Sequence, residues 1–140
     1  MRTRGFTLIE LLVALAIMAI ISAVAVPIYT EYSVRTQRTN AEKDLMLCAQ
    51  SMERLASATF TYAGKVGGAA DTGAVTANIC TPSTTMYAIT VTAADANTFT
   101  LRATPTSGPV VGDGVLEIDA SGMGRWDKDS DGNFESAWGH

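Results

Sequence analysis

WDKDSDGNFE, residues 126–135, sets Asp127, Asp129 and Asp131 at alternate positions with Gly132 next. Three carboxylates in five residues repel one another, and D-x-D-x-D-G is the first half of a twelve-residue loop in which such oxygens wrap a calcium ion. Asn133 would add its carbonyl and Glu135 a ninth-position ligand, but the twelfth position is Trp138 where such a loop carries a glutamate. A calcium site and a metal-free acidic turn both stay open. Cys48 and Cys80 suit one disulfide or two free thiols, and the compartment that receives them decides which. A third candidate is Glu10, the lone acid at the head of the apolar run LLVALAIMAIISAVAV. Against these stands what an enzyme would need. The single histidine, His140, ends the chain, and no G-x-S-x-G, H-E-x-x-H, P-loop or Rossmann pattern is present. The expectation is no enzyme and no required cofactor, with calcium the one ion the residues could hold.

The elements that carry these residues follow from patterning. Arg2, Arg4 and Gly5 precede an apolar run from Phe6 to Ile28, which ends at Pro27 without a clearly placed A-x-A-like cleavage site. As a helix the run is about 34 Å long, enough to cross a hydrocarbon core of about 30 Å. The arginines before it predict a cytoplasmic N-terminus, with everything after Pro27 outside. A charged acid in lipid costs at least about 2.5 kcal/mol, so Glu10 calls for a partner. Pro27 lacks an amide hydrogen and weakens the helix from about Ala19 to Ile28, where a kink or local melt is predicted.

From residue 29 to 58 the helix continues as an amphipathic one. Ala41, Leu45, Cys48, Met52, Leu55 and Ala56 recur at spacings of three and four, and the charged residues Glu31, Arg35, Arg38, Glu42, Lys43, Asp44, Glu53 and Arg54 fall elsewhere, on a solvated face. Residues 59–85, rich in Gly, Ala, Thr and Ser, read as a connecting loop. Cys80 lies in it, and a disulfide to Cys48 would pin loop to helix; export past the membrane favours that oxidised form. Strands follow within 86–126: 86–93 and 98–105 as a hairpin, then VLEIDAS, and Gly122–Trp126 as a short fourth. Thr90, Thr92, Thr98, Thr100, Arg102 and Glu117 are expected outward, and 127–140 is an acidic turn and tail. The fold class is α+β, a long N-terminal helix packed on a three- to four-stranded antiparallel sheet.

Arg4-Gly5-Phe6-Thr7-Leu8-Ile9-Glu10-Leu11, followed by the apolar helix and Pro27, resembles the class III signal of a type IV prepilin. The resemblance is specific over residues 1 to about 35 and architectural beyond. It implies that residues 1–5 are a leader removed by the prepilin peptidase between Gly5 and Phe6, that the new amine of Phe6 is methylated, and that Glu10 pairs with that amine on a neighbouring subunit during assembly. It implies that the stretch before Pro27 can unwind in the filament, and that residues 59–85 are the variable αβ-loop. Implied partners are other pilin subunits, the peptidase, the inner-membrane assembly machinery, and lipid before assembly. The implied location is the inner membrane with a periplasmic domain, then the extracellular pilus. The cysteine pair departs from the commoner pilin pattern, in which two cysteines near the C-terminus are joined.

Three functions are weighed. The first is a structural pilus subunit, major or minor, supporting adhesion, twitching motility or DNA uptake. The second is a pseudopilin of a type II secretion system, which shares the processing signal and would suit an acidic calcium-like turn. The third is a DNA-binding minor pilin for natural transformation. That one needs a basic stripe, whereas Arg54, Lys65, Arg102, Arg125 and Lys128 are scattered among acids and the net charge is -4, so nucleic acid is not an expected partner.

Overall fold

The computed structural model describes residues 6–134 and 136–138, and the chain divides into two compact units, Met1–Ser33 and Val34–His140. One helix, α1 (Leu8–Thr59), begins in the first unit and ends in the second. Its first part is built of Leu, Ala, Ile and Met, which lose little on entering a helix. Every residue from Phe6 to Tyr32 is exposed, so among the described residues nothing covers this largely apolar segment. Such a surface calls for lipid or other helices. The stretch Ala19–Ile28, predicted to kink or melt, is helical, and α1 runs through Pro27 without interruption. Thr30 Oγ1 donates to the Val26 carbonyl at 3.0 Å beside the proline.

In the second unit α1 buries Ala41, Leu45, Cys48, Ala49, Met52 and Ala56, the spacing the sequence shows. The opposing surface is an antiparallel sheet in simple sequence order: β1 (Gly73–Ala74), β2 (Tyr87–Ala94), β3 (Phe99–Pro105), β4 (Val115–Asp119), β5 (Gly124–Asp127) and β6 (Ser136–Ala137). Tyr87, Ile89, Val91, Phe99, Leu101, Ala103, Leu116 and Ile118 face the helix and close the core. Alternation holds in β2 until a bulge between Val91 and Ala93, after which the register shifts by one. Asp95 caps the β2–β3 turn by accepting the amides of Asn97 and Thr98 at 2.6 and 2.9 Å.

The α+β architecture is the expected one, with three corrections. The sheet has six strands, not three or four, because the two outermost are two-residue pairings made by backbone alone, β1 on β2 and β6 on β5. Consequently the loop over 59–85 contains a strand, and the sheet does not end at residue 126. Glu117, expected outward, is 5% exposed: Arg102 and Arg125 pair with it from the neighbouring strands. Asp44, assigned to a solvated face, is 3% exposed, because its carboxylate accepts the amides of Ser83 and Thr84 at 2.9 and 2.8 Å and the Ser83 hydroxyl at 3.0 Å.

Candidate functional site

At the start of α1 two polar side chains close on one another. The Thr7 amide and the Thr7 hydroxyl both donate to Glu10 Oε2 at 2.8 Å, and the Glu10 amide donates back to Thr7 Oγ1 at 3.4 Å. This is a reciprocal capping box, in which the residue before the first turn and the third residue of the helix satisfy each other's free amides. Reading Glu10 as a lone acid passed over Thr7, although T-x-x-E before an apolar run is the sequence signature of such a box. Phe6 is exposed beside it. Gly5 lies outside the described residues.

In the second unit a polar knot ties α1 to the sheet. Arg38, expected to be solvated, is instead held in a two-point contact with Asp113: Nε donates to Oδ2 at 2.8 Å and Nη2 pairs with Oδ1. The Tyr87 hydroxyl donates to Asp113 Oδ2 at 2.7 Å, the Trp126 indole donates to the Asp113 carbonyl at 2.9 Å, and the Arg38 guanidinium lies 3.8 Å from the Trp126 ring centre. Burial first, and then the bond to Asp113, pushes the Tyr87 phenol well above the ordinary tyrosine range. Gly114 follows with φ +92°, and a Cβ there would collide with the Asp127 carbonyl and with Lys128. No sequence signal announces the knot, since Arg38 and Asp113 are 75 residues apart.

Cys48 and Cys80 are joined in a disulfide, so the loop is fastened to the buried face of α1. The acidic turn is the connection from β5 to β6. Carboxylate oxygens of Asp127, Asp129 and Asp131 lie within 4.8 Å of one another. Asp127 is buried at the end of β5 and accepts the amides of Asp131 at 3.2 Å and Gly132 at 3.0 Å. Asp131 accepts the backbone and side-chain nitrogens of Asn133, which hold its carboxyl below the usual aspartate value. That leaves the Asn133 carbonyl oxygen for an ion. Trp138, at the twelfth position, donates its indole N–H to the Arg125 carbonyl at 2.8 Å and lies where a Cβ on Gly124 would overlap its ring. The first half of the loop thus fits a hard cation by its donors; the second half offers an indole where an oxygen is needed. Glu135 lies outside the described residues, as does His140.

Among the described residues, Arg54, Lys65, Arg102, Arg125 and Lys128 of the second unit lie on several elements, two of them paired with acids on the sheet. Arg102 donates to Glu117 at 2.7 Å, Arg125 lies 3.8 Å from Glu117 and 3.7 Å from Asp119, and Lys43, Arg54 and Lys128 are exposed on other elements.

With that geometry in place, comparison with known families is decisive. Residues 27–113, well over half of the chain, match the family described as "Type IV minor pilin ComP, DNA uptake sequence receptor". Residues 1–26 match the "Prokaryotic N-terminal methylation motif". The chain belongs to the ComP family of type IV minor pilins. Among relatives, a fimbrial protein of Pseudomonas aeruginosa is 48% identical over 42 residues, 30% of this pilin and 27% of that protein. The type IV major pilin protein PilA of Myxococcus xanthus (strain DK1622) is 41% identical over 44 residues, 31% of this pilin and 20% of its own length. The type IV major pilin protein PilE1 of Neisseria gonorrhoeae is 50% identical over 38 residues, 27% of this pilin and 23% of its own length. The pilin therefore matches only about a quarter of the length of these relatives. No solved structure matches. Membership makes this a type IV minor pilin, and its N-terminal helix is long and apolar enough to cross a membrane. It also brings forward DNA uptake, which the scatter of basic residues had argued against.

Proposed function

We propose that this pilin is a minor subunit of a type IV pilus, made as a single-pass inner-membrane precursor with its C-terminal unit in the periplasm and polymerised through α1. The prepilin peptidase cuts between Gly5 and Phe6, the amine of Phe6 is methylated, and the assembly machinery draws the helix out of lipid. The observation that carries this reading is the first part of α1: apolar, exposed on all sides, and bearing Glu10 as its one acid before Glu31. Packed among other helices, where water is excluded, Glu10 opposite a neighbour's Phe6 amine gains from the low dielectric and sets the axial register. The stretch before Pro27 is the place where the helix yields when the filament lengthens. Glu10→Ala is expected to insert normally and to be absent from sheared filaments; wild-type filament yield would contradict the pairing.

A second reading is carried by the match over residues 27–113: this subunit displays a receptor surface for DNA outside the cell. With a net charge of -4, the chain is expected to make few phosphate contacts, and binding should be modest and salt-sensitive. The full chain in detergent should shift a labelled duplex at 50 mM salt and lose most of that binding by 200 mM. Absence of any shift at 50 mM would remove DNA from the account.

A further inference from the structure

We propose that Asp44 is the positioning residue of the Cys48–Cys80 disulfide: it docks the segment ahead of β2 on α1 while both cysteines are still thiols, and so directs them to each other. Asp44 and Cys48 lie one turn apart on the buried face of α1. The Asp44 carboxylate accepts the amides of Ser83 and Thr84 and the Ser83 hydroxyl, so the chain just after Cys80 is fastened within a turn of Cys48. Just before Cys80, the Thr76 carbonyl accepts the amides of Ile79 and Cys80 at 2.9 and 3.0 Å, and the Ile79 side chain is buried in the core. Cys80 is therefore held from both sides by contacts that owe nothing to its sulfur.

The freedom that these contacts remove is that of the chain between Cys80 and β2, which begins at Tyr87. Without Asp44, residues 81–86 would separate Cys80 from its next fixed point. With it, only Thr81 and Pro82 do, and the proline ring fixes one of their backbone angles. Less closure entropy is then left to lose when the sulfurs meet, which raises the effective concentration of one thiol at the other. With oxidised glutathione as the oxidant, one protein thiolate attacks its disulfide and releases one glutathione thiolate. The second protein thiolate then displaces the other glutathione, and the two protons of the cysteines pass to the two glutathiones that leave. Two protein thiols are oxidised and one glutathione disulfide is reduced. The second step is the intramolecular one, and it is the step that docking by Asp44 favours. Coupling of this kind is reciprocal: the bridge in turn keeps Ser83 and Thr84 on the carboxylate, so the two fastenings strengthen each other and the pair is a lock, not a switch.

The test uses the full chain in detergent, equilibrated at pH 7 with set ratios of reduced and oxidised glutathione, and reads the oxidised fraction by thiol alkylation and intact mass. Asp44→Asn keeps the size and one acceptor oxygen and loses the charge and the second acceptor. It is expected to lower the equilibrium constant for disulfide formation at least about tenfold, a shift of about 30 mV for this two-electron couple. Ser83→Ala, which removes the hydroxyl and leaves the amides, is expected to lower it in the same direction by less. Arg38→Met breaks the knot and is expected to weaken the fold while leaving the constant at its wild-type value. A wild-type constant in Asp44→Asn would overturn the proposal, as would an equal fall in Arg38→Met, since the effect would then be a general loss of stability. Where Asp44→Asn does not fold, Ser83→Ala decides, and a wild-type constant from it would overturn the proposal.

Discussion

Arg38 shows how much one misplaced charge can organise. Its guanidinium meets a carboxylate that is itself bonded to a tyrosine hydroxyl, and it covers an indole whose N–H returns to the same residue. Removing the cation leaves Asp113, whose side chain is 7% exposed, charged beside Tyr87 alone. Breaking a fully buried pair costs about 3–5 kcal/mol, and since Arg38 keeps some solvent access the expected loss for Arg38→Met is about 2–3 kcal/mol. A urea titration that finds less than about 1 kcal/mol would reduce the knot to an ordinary surface pair. Tyr87 makes a separate prediction on the alkaline side. Its phenol ionises at a higher pH folded than unfolded, so its contribution is whole below about pH 10 and is lost as pH rises beyond that. Tyr87→Phe should therefore flatten the fall in stability above pH 10, and phenolate absorbance from Tyr87 should appear only together with unfolding. Neither residue role was legible in the sequence. Polar type alone says surface, and the partners that bury Arg38, Asp44 and Glu117 come from other segments of the chain. Thr7 is the opposite case, since T-x-x-E is a local pattern.

At the scale of elements, periodicity told most of the story. The stripe on α1 and the alternation in β2, β3 and β4 are side-chain patterns, and the structure buries those positions. β1 and β6 carry no such pattern because a two-residue edge pairing is set by neighbouring backbone, and only folding brings that backbone alongside. The disulfide compensates for the weak patterning of the loop. Closing a loop across a sequence separation of 32 limits the unfolded chain, and reducing Cys48–Cys80 should lower unfolding free energy by about 3–4 kcal/mol. An unchanged urea midpoint after full reduction would show that the loop holds without it. The acidic turn makes its own prediction, because the loop that gathers Asp127, Asp129 and Asp131 also delivers β6 to the sheet edge. If it takes calcium, millimolar calcium should raise the melting temperature and a chelator should reverse the gain, while magnesium, which demands a tighter octahedron, should not substitute. Equal melting curves in calcium and chelator would leave an acidic turn and nothing more.

The whole molecule joins two units with different solvents in mind. One is a largely apolar helical segment whose described residues are all exposed up to Tyr32, and the other is a small α+β body closed by a core, a polar knot and a disulfide. That division is what a subunit needs if it waits in lipid and is later bundled with other helices while its body faces water. Glu10 is held by Thr7 at the head of the apolar segment, and the assembly contact proposed above would add a neighbour's amine to it. Cleavage beside Phe6 is the step on which this depends. It is tested most directly by the intact mass and N-terminal sequence of this chain recovered from sheared surface filaments. The account predicts a species beginning at Phe6 and carrying one added methyl group on its amine. Recovery of a chain that still carries residues 1–5, or that begins at any other residue, would contradict it.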